Sequence, residues 1–353
     1  MANSRLIGSP LDAPEDVIRW HGAMQAQDYG PAKWSIAQRA KGLIDVDVDQ
    51  AVASGSIVRT HVLRPTWHFV ARDDIRWMLA LTAPRVHRHN GPRYRELGLD
   101  EKTLARCESV MVSALEGGTR LTRQQIERLL KDRRIDTSGQ RIAYMLLHGE
   151  LEGAIASGGL AGKQQTYARL DERVPAGRPF DRDESLVELT RRYLTSHGPA
   201  TVQDLRWWSS LTVADVRKAL HLLGPEVREL SADGFTFWSM VSDDTRAPGG
   251  RGAHFLQAYD ELIVGYTESR YVGDPRAEAA RAAFRDRTMP NGIILLNGTI
   301  AGHWRRTLEK DAVNVQLFLH DSPTPTAKRA MNAEAKRLAR FLGRAATVET
   351  SQL

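Results

Sequence analysis

Two glutamines, Gln25 and Gln27, stand one alanine apart in the stretch HGAMQAQDYGPAKW, in otherwise largely apolar surroundings. An amide does not titrate near neutral pH, so neither side chain is an ordinary general acid or base. Each offers two donors and an acceptor, which suits holding a water molecule, a base edge or a backbone group. On a helix, residues two apart diverge by about 200° and cannot serve one site. On extended chain they project to the same side. Asp28, Tyr29, Gly30 and Pro31 follow at once, and these residue types end helices and form turns. The spacing therefore places the pair where a helix becomes loop, able to converge, although amides capping a helix end give the same pattern.

A second stretch, HVLRPTWHFV, alternates on an extended chain. Arg64, Thr66 and His68 share one face, and Leu63, Pro65, Trp67 and Phe69 share the other. That reads as a half-buried strand with a polar working face, or equally as a strand with His68 satisfied inside a domain interface. The run APRVHRHNGPRYRE carries Arg85, Arg88, Arg93 and Arg95 with a single acid at its end, which fits phosphate neutralisation or a solvated linker. His87 and His89 in it are two apart, and such a pair without further ligands rarely holds a metal. SGGLAGKQQ lacks the glycine spacing of a phosphate loop and has Gln164 where Ser or Thr would meet magnesium. RAPGGRGAH reads as a flexible loop from which Arg246 and Arg251 could reach a nucleic acid.

The elements that must position these residues recur in a fixed order of helices followed by strands. Residues 1–95 hold a helix over APEDVIRWHGAMQ, then DVDQAVASGS as a short helix ahead of β-branched and aromatic residues. Residues 96–180 give LARCESVMVSAL, closed by Gly117-Gly118, then a helix capped by Thr122 with Gln125 at capping-box spacing. A third helix follows and turns into GAIASG. Residues 173–185 form a linker rich in proline, glycine and charge. Residues 181–353 repeat the theme with caps at Thr201 and Thr212 and a hairpin signal at Asp233-Gly234, a candidate wing tip. The C-terminal stretch mixes strands with a closing amphipathic helix and is assigned to this third unit. The spacing thus predicts an α+β fold, mainly helical, of three tandem winged-helix motifs, an arrangement that DNA-binding modules use.

Composition agrees with a globular chain large enough for two or three cores: 353 residues, 42% hydrophobic and 26% charged. The balance of 49 basic to 43 acidic residues gives net charge +6 and mildly favours a polyanionic partner. The single cysteine, Cys107, excludes an internal disulfide and any multi-cysteine zinc site. No secretory leader and no membrane-spanning apolar run are apparent, so a cytoplasmic location and no membrane partner are expected.

Five segments in order, MQAQDYGPAKWSIAQR, RTHVLRPTWHFV, GPATVQDLRWWSSL, AYDELIVGYTESR and NGTIAGHWRR, resemble the AlkZ and YcaQ-type DNA glycosylases. The likeness covers nearly the whole chain. It implies three winged helices shaped as a concave cradle for duplex DNA, and monofunctional hydrolysis of the N-glycosidic bond of alkylated bases. Bulky adducts and interstrand crosslinks are within that range, in repair or in self-resistance to a genotoxic natural product. Gln25 and Gln27 match the catalytic positions, and glutamine at the second of them resembles the AlkZ branch. DNA contacts are expected from Arg59, Arg64, Thr66, His68, Arg85, Arg88, Arg93 and Arg251, with duplex DNA bearing alkylated bases as partner, a monomeric protein, no cofactor and no metal. An N7-alkylguanine is cationic and leaves readily, so neutral amides that place a water beneath C1′ would suffice. A crosslinked base cannot flip freely, so an open cleft is expected rather than a tight pocket. The competing reading is a non-catalytic winged-helix DNA-binding protein, a regulator or a lesion- or drug-sequestering module.

Overall fold

In the computed structural model, which describes residues 1–241, 252–270, 272 and 292–353, helix α1 (Pro14–His21) is shorter than its apolar periodicity predicts. Gly22 ends it in a left-handed conformation, φ +77°, that other residues adopt only with strain. The chain then extends as strand β1 (Ala23–Gln25). After α2 (Tyr29–Ala37) and α3 (Asp45–Ser54) come β2 (Ile57–Val62) and β3 (Arg64–Ala71), giving a three-stranded antiparallel sheet in the order β1-β3-β2. Leu63, at φ +63°, is the turn between β2 and β3 and not a strand residue. Val17, Ile18, Met24, Ile36, Val52 and Phe69 close one core beneath this sheet.

Helix α4 (Ile75–Glu96) is continuous over 22 residues with Pro84 and Pro92 inside it. The basic run therefore lies on a helix, neither a linker nor a free arm. The two prolines hide the helix from a sequence reading because proline ordinarily breaks one.

The next elements are α5 (Glu101–Ala114), the short β4 (Leu121–Thr122), α6 (Arg123–Asp132), α7 (Arg141–Leu151) and the hairpin β5 (Ile155–Ala161) and β6 (Gln164–Arg169). Thr122 caps α6 and Gln125 returns the bond, at 3.3 and 2.8 Å. The four-residue α8 (Leu170–Arg173) leads to α9 (Arg182–His197), α10 (Val202–Ser209), α11 (Val213–Leu223) and the hairpin β7 (Val227–Ala232) and β8 (Phe235–Met240). Thr201 and Thr212 cap α10 and α11 as their sequence contexts predict. Asp233 and Gly234, at φ +49° and +77°, make the tight turn of this last hairpin.

The C-terminal stretch builds a sheet of its own. Strands β9 (Ala253–Gln257), β10 (Gly292–Leu296), β11 (Thr299–Leu308), β12 (Ala312–Leu319) and β13 (Ala345–Gln352) form one sheet in the order β13-β12-β11-β10-β9. Every second residue of β12, from Val313 to Leu319, is buried against Met331, Ala335 and Leu338 of α13 (Pro325–Phe341). The same core takes in Trp34 of α2, whose indole N–H donates to the Phe255 carbonyl at 2.8 Å. A second shared core joins Ala23, Val58 and Val70 of the first sheet to Leu189, Tyr193 and Trp208 of α9 and α10. The segment carrying Gln25 is thus held from both sides by residues far along the chain.

Candidate functional site

Strand β1 sets Gln25 opposite His68 of β3, and the pairing runs one residue further where the Ala26 amide donates to the Trp67 carbonyl at 2.7 Å. Extended backbone here aims the Gln25 side chain into a cleft of about 630 Å³, within the usual range of ligand sites. The Gln25 side-chain oxygen accepts from Arg64 Nη2 at 2.8 Å. A guanidinium only donates, so the amide oxygen faces Arg64 and its NH2 is turned the other way. Arg64, Pro65 and Thr66 all line the cleft with Gln25, so the expected alternation does not sort this end of β3, and the Thr66 hydroxyl has no protein partner.

Gln25 is also anchored from behind. Its backbone amide donates to Glu261 Oε1 at 2.5 Å, across 236 residues of sequence. Glu261 opens the short helix α12 (Glu261–Val264) and is 1% exposed. Its other oxygen accepts from Trp208 Nε1 at 2.9 Å and faces His197 Nε2 at 3.3 Å. Burial pushes this carboxyl up, but His197, Arg64 and the Gln25 amide outweigh it and hold it down at about 2. Glu261 is therefore a fixed anion under the cleft. The preceding residue, Asp260, forms a bidentate pair with Arg39 at 2.7 and 2.9 Å, both side chains fully buried. A buried pair of this kind fixes geometry more than it adds stability.

Gln27 is exposed and lies outside the residues lining the cleft. Its side-chain oxygen faces the Trp67 amide at 3.4 Å. Arg59 is 8% exposed, and its guanidinium donates to the carbonyls of Ala26 at 3.0 Å and Gln27 at 3.4 Å while stacking 4.4 Å from the Trp67 ring centre. It positions the Gln25–Gln27 segment. His68 is fully buried with Nδ1 on the Thr66 carbonyl at 2.9 Å. Burial and the Arg64 charge lower its pKa to about 3, so it is neutral and beneath the surface that DNA could reach. Asp28 opens away from Gln25 into a neighbouring cavity with Arg306.

The far wall of the cleft comes from α4, α10 and the loop after α12. Arg85 and His89 project from α4, with the Arg85 Nε donating to the Ser210 carbonyl. Trp207 is 45% exposed, with its indole N–H on the Val264 carbonyl at 3.0 Å and the Arg64 guanidinium 5.6 Å from its ring centre. Asp204, fully buried, fastens the following loop by accepting from the amides of Thr267, Glu268 and Ser269 at 2.8 to 3.1 Å. Arg270 of that loop reaches the cleft. A larger concavity of about 1220 Å³ beside the start of α13 holds none of these residues.

The model of the AlkZ-like DNA glycosylases matches residues 18–341. The chain belongs to the AlkZ-like DNA glycosylase family. It is similar to an interstrand DNA cross-link repair glycosylase of Streptomyces sahachiroi, 24% identical over 93% of this chain and 90% of that one. Its fold matches the solved structure of the Streptomyces sahachiroi DNA glycosylase AlkZ with a TM-score of 0.81 and 22% identity, covering 99% and 97% of the two chains. The glycosylase is thus a hydrolase of N-glycosyl bonds with DNA as its substrate class.

Of the remaining expected DNA contacts, Arg88 is exposed on α4 in the glycosylase. Arg93 is held by Gln140 at 2.7 Å and by Glu96. Arg251, with Arg246, lies outside the described residues. Sequence reasoning missed Glu261, His197, Trp207 and Asp204. An acid inside the apolar stretch LQAYDELIVGY was the visible signal for Glu261, but its partners are assembled only by the fold.

Proposed function

We propose that this glycosylase hydrolyses the N-glycosidic bond of alkylated bases of the N7-alkylguanine type, including bulky adducts and interstrand crosslinks, in DNA repair or self-resistance. The observation that carries this reading is Gln25: a neutral amide fixed by Arg64 in front and by Glu261 behind, at the wall of a wide cleft. Departure of a cationic base requires no proton donor, and among the described residues lining the cleft there is no carboxylic acid. What remains is to place a water under C1′ and to tolerate the positive charge that develops there. Gln25 places the water from the cleft wall, and Gln27, exposed outside the cleft lining, joins it only when the duplex is bound. The Glu261 anion offsets the Arg64 charge beneath the reacting sugar, an electrostatic contribution built in before reaction. Cross-link repair by the Streptomyces relative supports the inclusion of bulky, tethered lesions, which an open wall accommodates.

The three helix-then-hairpin units, 1–95, 96–180 and the first part of 181–353, serve in this proposal as winged helices cradling the duplex. Arg85 and Arg88 meet phosphates from α4, and Asp233-Gly234 is a wing tip. The deciding experiment is single-turnover excision from duplex DNA bearing 7-methylguanine or an N7-linked crosslink. Gln25→Ala and Gln27→Ala each lower the rate on the order of 10²-fold while leaving DNA affinity within a few-fold. Two variants that excise at the wild-type rate would overturn the assignment. Adduct-selective binding with no base release would instead favour the sequestering module.

A further inference from the structure

His87 and His89 are neighbours in sequence but not in function. Two residues apart on helix α4, they point to roughly opposite sides. His89 faces the cleft, while His87 faces α7. There the fold supplies what the sequence could not: His148 and Glu152, one helical turn apart at the end of α7. One ligand atom from each of His87, His148 and Glu152 lies within 4.8 Å of the others. His87 Nε2 stands 3.0 Å and His148 Nε2 stands 3.9 Å from the same oxygen, Glu152 Oε1. Ligand atoms around a tetrahedral zinc ion are about 3.3 Å apart, so the three need only small side-chain shifts to share one.

The far nitrogen of His87 is oriented by a further group, the Tyr94 hydroxyl at 3.2 Å, as the second nitrogen of a histidine ligand characteristically is. His148 Nδ1 faces Glu108 Oε2 at 3.8 Å, beyond hydrogen-bond reach. The charge balance points to the same occupant. Among the described residues, the ion-pair partners of Glu108 and Glu152 are these two histidines, with no lysine or arginine between them. The ring centres of His87 and His148 are 5.1 Å apart, which disfavours two imidazolium charges. Glu152 is half exposed and borders an open cavity of about 510 Å³, so an ion has an entry path and room for a water ligand.

We propose that His87, His148 and Glu152 form a divalent metal site of the zinc class that fastens α4 to α7. Two imidazoles and one carboxylate are borderline donors, which select zinc-like ions over magnesium or calcium. The site is structural: it braces the helix whose other side presents Arg85 and His89 to the cleft. It is independent of Gln25 and of the excision chemistry.

The test uses tag-free, chelator-stripped full-length protein, dialysed against Zn²⁺ and analysed for metal content, with Co²⁺ as a spectroscopic probe. The proposal expects roughly one metal per chain, intense visible bands from four- or five-coordinate Co²⁺, and a Zn²⁺-dependent rise in Tm of several degrees. His87→Ala and His148→Ala abolish all three. Glu152→Gln, which keeps both imidazoles and the helix, weakens binding at least about tenfold. Wild-type protein that leaves Co²⁺ with its aquated spectrum, or that binds no more Zn²⁺ than the histidine variants, overturns the proposal. The Co²⁺ titration of the wild type decides against the site even where a variant fails to fold.

Discussion

Gln25 receives its orientation from residues with no sequence proximity to it. Replacing Glu261 by Gln keeps the shape but removes the anion and leaves one acceptor oxygen for two donors, so either the Gln25 amide or the Trp208 N–H meets an NH2. Single-turnover excision is expected to fall about tenfold or more, with DNA affinity held. An unchanged rate would show that the charge is irrelevant. The buried histidines give a pH dependence. His21 and His68 are both depressed to about 3, chiefly by burial. Below an unfolded pKa near 6.5 the unfolded chain takes up protons that the folded chain refuses, so stability falls as pH drops from about 6.5 toward 3. In His68→Asn the fall between those limits is shallower by about 1.4 kcal/mol per pH unit, read from denaturant midpoints at several pH values. The expected alternation of β3 holds only in part: Arg64 and Thr66 line the cleft, but so does Pro65, and His68 does not. Periodicity carries no information on depth, which is why the sequence left His68 open between a working face and a buried interface, and the fold decides for burial.

Local chemistry made the elements with short-range signals readable. Thr122 with Gln125, Thr201 with Asp204, Thr212 with Asp215 and the Asp233-Gly234 turn all close within four residues. Strand β1 was not readable, because three residues carry no period and its partner β3 lies some forty positions on. Helix α4 was masked by its prolines, and the five-stranded sheet by pairings that cross α13. Asp204 shows how one residue can hold an element. It completes the cap of α10 and takes three successive amides of the loop that brings Arg270 to the cleft. Asp204→Ala removes the acceptor these part-buried donors share, at a cost of about 1–3 kcal/mol. Hydrogen exchange in residues 264–270 should quicken in this variant ahead of the rest of the chain. Uniform exchange across the protein would deny the loop its dependence on Asp204.

The fully buried Arg39–Asp260 and Gln25–Glu261 contacts join the N-terminal unit to the C-terminal one, so the cleft belongs to the whole molecule. Among the described residues no helix is long and apolar enough to cross a membrane. The net charge of +6 acts at this scale too. Duplex affinity should drop on the order of 10³-fold between about 50 and 200 mM salt, because phosphate contacts release counterions. A salt-independent affinity would contradict a cradle lined by Arg85 and Arg88. The bond between the Gln25 amide and Glu261 bears also on synthesis. A nascent chain emerges from the ribosome with its amides early and their supporting carboxylate much later. In the proposed mechanism base removal waits until translation has passed α12, so an aborted polypeptide carries the two glutamines without the means to release a base.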